Sequence, residues 1–364
     1  MYRTLLNRRF NNIFFIPALS RFSFTKFTYC REWGIIVLYG QLFPKEGAVK
    51  VKDPKAIIEH IGQWLREKLT IKPDHEPVAV IGLSGGIDSA LVALICLYNN
   101  IEVVTVNMSC HSSKWSFDRA QEFTSTYRLK FISIPLTDAA DNILDWADHG
   151  LYGYRLGRLG WAQLPKQDMI DRGSFFSCLR APVLDYVAKR VGGLIVGTGN
   201  RDEDFILRYF NKRGDGAVDL SPIADLHKSE VRQLFEWLAF ECAPTSFKGE
   251  MPPAADAILE AKPSADLWGG EPQYDEDELG LTYDQVEEVD KIVEVLEPEF
   301  WSLGLQDREF EINLWLDNEM ISNNEAEIIR KVSAMELVTK HKANPNIPVC
   351  PIREHDEWFV NDTD

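Results

Sequence analysis

One eight-residue stretch constrains this chain more than any other. Gly82-Leu83-Ser84-Gly85-Gly86-Ile87-Asp88-Ser89 stands directly after the all-apolar run Val78-Ala79-Val80-Ile81 and directly before a helical signal over Ser89–Leu97. A short apolar run without alternation fits a strand buried on both faces of a parallel sheet. The chain therefore reads strand, glycine-rich loop, helix. Two adjacent glycines remove the Cβ atoms that would keep a phosphate from the backbone, and successive N–H groups at a helix start form an anion cradle. Ser84 and Ser89 add hydroxyl donors. Asp88 puts a carboxylate beside the phosphates, an arrangement that calls for a metal ion. The pattern is neither the GxxxxGKS Walker loop nor GxGxxG, which disfavours a Walker-type kinase and a Rossmann dehydrogenase.

The surrounding periodicity is that of an α/β protein. Residues 53–70 place Ile57, Ile58, Ile61, Trp64, Leu65 and Leu69 at spacings of three and four, which predicts an amphipathic helix. Strand-like Val103–Val106, helical Ser116–Thr126, strand-like Phe131–Leu136, a helix over Phe175–Val191 and strand-like Gly193–Gly197 follow. Strands separated by helices at this spacing predict a doubly wound parallel sheet, with ligands at the carboxyl ends of the strands. Residues 228–242 read as a helix, 243–276 as a Pro/Gly-rich mobile loop, Tyr283–His341 as acidic amphipathic helices, and Asp356–Asp364 as a frayed end.

Further motifs sit downstream in fixed order. They are Gly197-Thr198-Gly199-Asn200-Arg201-Asp202-Glu203, then Lys212-Arg213-Gly214-Asp215-Gly216 running on to Asp219 and Pro222-Ile223, then Asp225-Leu226-His227-Lys228-Ser229-Glu230-Val231. Lys262-Pro263-Ser264-Ala265-Asp266-Leu267-Trp268, Asp277–Gly280 and His341-Lys342 come later. Thr198 follows a buried strand and suits a phosphate or ribose contact. Glu203 is a second carboxylate able to meet Asp88 across one Mg²⁺.

The octapeptide resembles the loop of the ATP pyrophosphatase (PP-loop) family. With the later motifs, residues 52–345 are similar to the ammonia-dependent NAD synthetase family. The resemblance implies an adenine nucleotide alpha-hydrolase-like α/β fold with a C-terminal helical region. It implies a ligase that uses ATP to adenylate deamido-NAD and releases AMP and pyrophosphate as ammonia completes the amide. By resemblance, Gly82, Leu83, Ser84, Gly85, Gly86, Ile87, Asp88, Ser89, Thr198, Lys228 and Ser264 contact ATP. Arg180, Lys212, Asp219, His341 and Lys342 contact deamido-NAD, Asp88 and Glu203 hold Mg²⁺, and Asp88, Glu203 and Lys228 serve catalysis. A homodimer is implied as well. This chain departs from the family pattern in places. Glu203 to Lys212 is one residue longer, the segments from Lys228 to Ser264 and from Ser264 to His341 are expanded, and Ala343 stands where a basic residue is usual.

Composition narrows the alternatives. The 364 residues hold 39 basic and 56 acidic side chains, a net charge of −17. Residues 1–31 carry six basic and no acidic residues, so the remainder stands at 33 against 56, or −23. Such a body repels nucleic acid and anionic membrane, which argues against a tRNA-modifying PP-loop relative. A non-catalytic nucleotide sensor of the same fold would have no need of both Asp88 and Glu203. No stretch approaches the roughly 18 apolar residues of a membrane span. The six cysteines are scattered without a CxxC pair. They fit reduced thiols and a cytoplasmic location. The Arg-bearing start, residues 1–34 of an extension ending near 51, reads either as a mitochondrial transit peptide or as an added segment. About 77 residues precede the first core strand, too few for a glutaminase domain, so free ammonia, or ammonia from a separate glutaminase, is the expected nitrogen donor. Residues 346–364 read as a tail.

Overall fold

The computed structural model describes residues 24–30, 35–40, 50–70, 76–152, 165–247, 249–267, 273–343 and 346–360. The chain divides into two units. In the first, Met1–Ala48 with Asn361–Asp364, Phe24–Cys30 pairs antiparallel with Ile35–Gly40. The rest of the Arg-bearing segment, read from the sequence as either a transit peptide or an added segment, lies outside the described residues.

The second unit, Val49–Val360, holds the sheet. Its elements begin with β1 (Lys50–Val51), α1 (Pro54–Leu69), β2 (Val78–Gly82), α2 (Ile87–Tyr98), β3 (Glu102–Asn107), α3 (Lys114–Tyr127) and β4 (Lys130–Ser133). Then come α4 (Thr137–Tyr152), α5 (Pro165–Val191), β5 (Leu194–Ile195) and α6 (Lys228–Glu241). Strands β4, β3, β2 and β5 form one parallel sheet in that order. The chain runs outward from β2 to β3 and β4, then crosses to place β5 on the other side of β2. The carboxyl ends of β2 and β5 therefore flank the point where the winding reverses, and a crevice opens there.

The apolar run in β2 is explained by burial on both faces. Side chains alternate along a strand. Ala79 and Ile81 pack with α1, α2 and α6, while Val78 and Val80 pack with Val104, Val106 and the Leu184, Val187 and Ala188 of α5. Helix α1 buries Ile57, Ile58, Ile61 and Leu65 completely, and Asp53 caps it by accepting the Ala56 N–H at 3.0 Å. Helix α2 is apolar all round because Ala90 through Cys96 are all enclosed.

Four parts differ from the sequence expectations. Helix α4 was not anticipated from the sequence; nearly all of its described residues are exposed, and Ala140 is its buried anchor. Helix α5 starts at Pro165 rather than Phe175, proline being well suited to a first helical position. The C-terminal stretch does not fray over its described part. β6 (Phe359–Val360) pairs antiparallel with β1, Cys350 and Ile352 are buried in the main core, and Arg353 pairs with buried Glu230 at 2.5 Å. Within 243–276, α7 (Pro253–Leu259) buries Ala254, Ala255 and Ile258, so this segment carries a helix where the sequence suggested an irregular loop.

The acidic C-terminal region forms α8 (Asp275–Leu279), α9 (Tyr283–Leu296), α10 (Leu305–Asp317) and α11 (Asn323–Thr339). Glu336 of α11 is buried and receives Arg308 of α10 at 2.8 Å and Arg208 at 2.5 Å. Arg208 closes the turn that carries Glu203, so this ion network fastens the helical region to the functional loop. Removing the single carboxylate would strand two buried guanidinium groups. Glu336→Ala is expected to lower stability by about 3–5 kcal/mol, read as a shifted urea midpoint with an unchanged m-value.

Candidate functional site

The site is assembled by three turns that meet at the reversal of the sheet. The first is the loop after β2. Gly85 has φ +87°, and a Cβ there would lie 2.4 Å from the Ser116 carbonyl oxygen, so only glycine lets α3 pack this closely on the loop. Gly86 caps α2 in an extended conformation. The Ser84 hydroxyl accepts the Gly86 N–H at 3.1 Å, and the Ser89 hydroxyl donates to the Gly86 carbonyl at 3.0 Å. These bonds hold the loop open as a cradle at the helix start.

The second turn follows β5. Asn200 is fully buried, accepts the Glu203 N–H at 3.1 Å, and donates to Asp88 Oδ1 at 3.0 Å. Arg201–Leu207 then forms a π-helical turn.

The third turn is the start of α6. The Lys228 N–H donates to Asp202 Oδ2 at 2.8 Å, and His227 Nδ1 lies 2.7 Å from the other oxygen of Asp202. One carboxylate thereby ties the segment carrying Glu203 to the segment carrying Lys228. At the centre, Lys228 Nζ donates to Asp88 Oδ2 at 2.7 Å and to Glu203 Oε1 at 2.9 Å. Tyr283 donates its hydroxyl to Glu203 Oε1 at 3.0 Å and lies 3.2 Å from Asp275 Oδ2.

The electrostatics follow from this crowding. Burial, reinforced by the charges of Asp88 and Asp275, outweighs the pull of Lys228 and lifts the Glu203 carboxyl to about 7. Burial likewise raises Asp275 to about 6. Burial disfavours the charged Lys228, yet Asp88 and Glu203 more than reverse this and hold it above the ordinary lysine value. Asp204, buried beside Glu203, Asp215 and Asp88, is raised well above a normal aspartate.

A cavity of about 290 Å³ lies over these turns. Gly82, Leu83, Ser84, Gly86, Ile87, Asp88, Ser89, Thr198, Glu203, Lys228, Ser264 and Arg180, all named from the sequence, line it together. Arg180 donates to the Met108 carbonyl and the Ser112 hydroxyl, both at 3.1 Å. Gly85 shapes the loop from behind the wall. Lys212, Asp219, His341 and Lys342 do not line the cavity. Lys212 reaches the His341 carbonyl at 2.9 Å, and Lys342 donates to the Phe210 carbonyl at 2.6 Å, so these residues gather against Phe210, itself a cavity wall. Asp219 accepts the Ile195 N–H at 2.8 Å, which gives it a place in the sheet edge.

Asn200, Asp275, Tyr283 and Arg119 were not singled out from the sequence. Asn200 lay inside a motif and its N-cap role was readable. Tyr283 opens a helix announced by the Thr282–Gln285 capping box. Asp275 and Arg119 carry no local signal and join the site through tertiary packing alone.

A second acidic set, Asp202, His227 and Glu287, has ligand atoms within 4.8 Å of one another. Its members are already engaged, His227 with Asp202 and Glu287 with Ser229 and Lys291. It works as a hydrogen-bonded brace under α6.

Residues 57–344 match the family model for NAD synthase. An NH(3)-dependent NAD(+) synthetase of Picrophilus torridus is 34% identical over 64% of this chain and 79% of its own length. One from Shewanella halifaxensis is 27% identical over 84% of this chain and 97% of its own. The solved structure of an NMN synthetase from Francisella tularensis superposes with a TM-score of 0.57 at 23% identity, covering 80% of this chain and 98% of that one, a likeness of fold.

The raised Glu203 carboxyl has a measurable cost. A carboxyl whose ordinary value is 4.5 and whose folded value is about 7 binds more protons folded than unfolded between those pH values, so its contribution to stability falls as pH rises through that window. In ligand-free protein, Glu203→Gln is expected to remove this slope. Relative to the variant, wild type should lose up to about 3 kcal/mol between pH 4.5 and 7, measured by urea unfolding at each pH.

Proposed function

The chain belongs to the NAD synthase family, and from that membership we propose that it makes NAD by amidating deamido-NAD at this cavity, with ATP as the activating co-substrate and free ammonia as the nitrogen donor. The observation that carries the reading is Lys228, held between Asp88 and Glu203 beside the Gly85-Gly86 cradle, where a nucleotide phosphate enters. The nicotinate carboxylate oxygen attacks the α-phosphorus of ATP and the bond to the β-phosphate oxygen breaks, leaving pyrophosphate. Ammonia then attacks the acyl carbon, the carbon–oxygen bond to AMP breaks, and the amide is left. Backbone N–H groups of residues 87–89 and the Lys228 ammonium face the phosphates, so catalysis rests on positioning and charge. Lys262 and Ser264, on the segment running from α7, bring cover to the same cavity and exclude water from the adenylate.

Asp88 and Glu203 suit Mg²⁺. Their oxygens converge on one cation already, the Lys228 ammonium, and both are hard oxygen donors of the kind this ion takes. When bound, the ion would neutralise phosphate charge at that point. Of the two rival readings, a polynucleotide-modifying relative is disfavoured by the acidic body, and a sensor by the completeness of the carboxylate pair.

A homodimer is part of the reading. Trp146 on α4 and Tyr186 on α5 are 70% and 65% exposed, and α5 also supplies Ser177 and Arg180 to the cavity. Burying these two rings against a second copy would stiffen the cavity wall. Cys96, Cys110, Cys178, Cys242 and Cys350 are free thiols, which supports a cytoplasmic setting, with mitochondria as the alternative if the Arg-bearing start is an address.

Purified protein with ATP and Mg²⁺ should release AMP and pyrophosphate only when deamido-NAD and ammonium are both present. Lys228→Ala should slow this at least about 100-fold, on the scale of losing one preorganised charge contact. Turnover on glutamine alone, or faster turnover with a substrate lacking the adenylyl half, would overturn the donor or the substrate respectively.

A further inference from the structure

Four cationic side chains line the cavity among the described residues, and they are not equally free. Lys228 is spent on two carboxylates, and Arg180 on the Met108 carbonyl and the Ser112 hydroxyl. Lys262 is exposed, with its ammonium 5.0 Å from the Tyr274 ring. Arg119 differs from all three. It sits on α3 one turn beyond Ser116, the residue that packs on Gly85, and its Nε donates to the Gly85 carbonyl at 3.1 Å. Its guanidinium lies 4.4 Å from the Trp115 ring centroid, which fixes its plane.

The two terminal nitrogens of Arg119 have no hydrogen-bond or ion-pair partner among the described residues. The nearest carboxylate that senses it, Asp266, is already satisfied by the Ser113 N–H at 2.9 Å and by the Ser113 and Ser116 hydroxyls at 2.9 and 2.6 Å. A half-buried guanidinium, anchored by one edge to a phosphate loop and with its other donors unspent, matches the fork geometry that binds phosphate oxygens in pairs.

Building on the NAD synthase reading, we propose that Arg119 is an additional phosphate-binding residue, receiving the β- and γ-phosphates of ATP and holding pyrophosphate as it leaves. The loop lies between two cationic flanks. Lys228 with Asp88 and Glu203 borders the α2 side, and Arg119 borders the α3 side through Gly85. As the bond from the α-phosphorus to the bridging oxygen breaks, its electron pair stays on the β-phosphate, and a fixed cation there offsets the growing charge. Six carboxylates also line the cavity, so a polyanion needs this charge to enter.

The test uses the full chain with two variants. Arg119→Gln keeps an amide donor for the Gly85 carbonyl and removes the charge, and Arg119→Lys restores a charge. Magnesium pyrophosphate and AMP binding are measured by calorimetry without turnover, and KM values for ATP and deamido-NAD by AMP release. The glutamine variant is expected to bind pyrophosphate at least about tenfold more weakly and to show a parallel rise in KM for ATP. Affinity for AMP and KM for deamido-NAD should stay within twofold, and the lysine variant should recover part of the loss. Unchanged pyrophosphate affinity overturns the proposal, as does an equal loss for AMP and pyrophosphate, which would mark a merely structural residue. Wild type that binds pyrophosphate through Arg119 yet never consumes deamido-NAD would instead refute the parent reading and leave this assignment standing.

Discussion

The ammonium of Lys228 is the joint of this molecule. It draws together Asp88 from the loop after β2 and Glu203 from the turn after β5, and it stands itself at the start of α6. Three chain segments that diverge from the sheet are thereby brought to one point. The cluster carries more acid than base, two carboxylates against one cation with Asp275 and Tyr283 behind them. Burial, with the charges of Asp88 and Asp275, lifts Glu203 toward neutrality. A site in that condition is primed for cations and for anions that arrive with them.

Much of this was legible from the sequence, for a physical reason. The octapeptide after β2 has a local signature because a phosphate cradle is built from consecutive N–H groups, and the strand before it is recognisable because it is buried on both faces. Asp88, Glu203 and Lys228 were each identified, but not that the lysine stands between the two acids, since that contact joins residues 140 and 25 positions apart. Arg119 and Asp275 were invisible because their roles arise from packing alone. The end from Asp356 looked frayed because it is polar, whereas Cys350 and Ile352 just before it close the core and Phe359–Val360 pairs with β1. The π turn at Arg201–Leu207 was not read from the sequence.

The charge of −17 gains a sharper meaning from the structure. The acidity is not confined to the surface, for Asp88, Glu203, Asp204, Asp215, Asp266 and Asp275 all line the cavity. Each acid that has partners is neutralised by specific donors: Asp266 by two serines, and Asp88 by Asn200 and Lys228.

The chemistry can be followed atom by atom with deamido-NAD carrying ¹⁸O in both carboxylate oxygens. Attack on the α-phosphorus followed by ammonia must leave one labelled oxygen in the phosphate of AMP and the other in the amide of NAD. Mass spectrometry of both products decides the matter. Label in orthophosphate with ADP as the second product, or AMP free of label, would contradict the adenylation route.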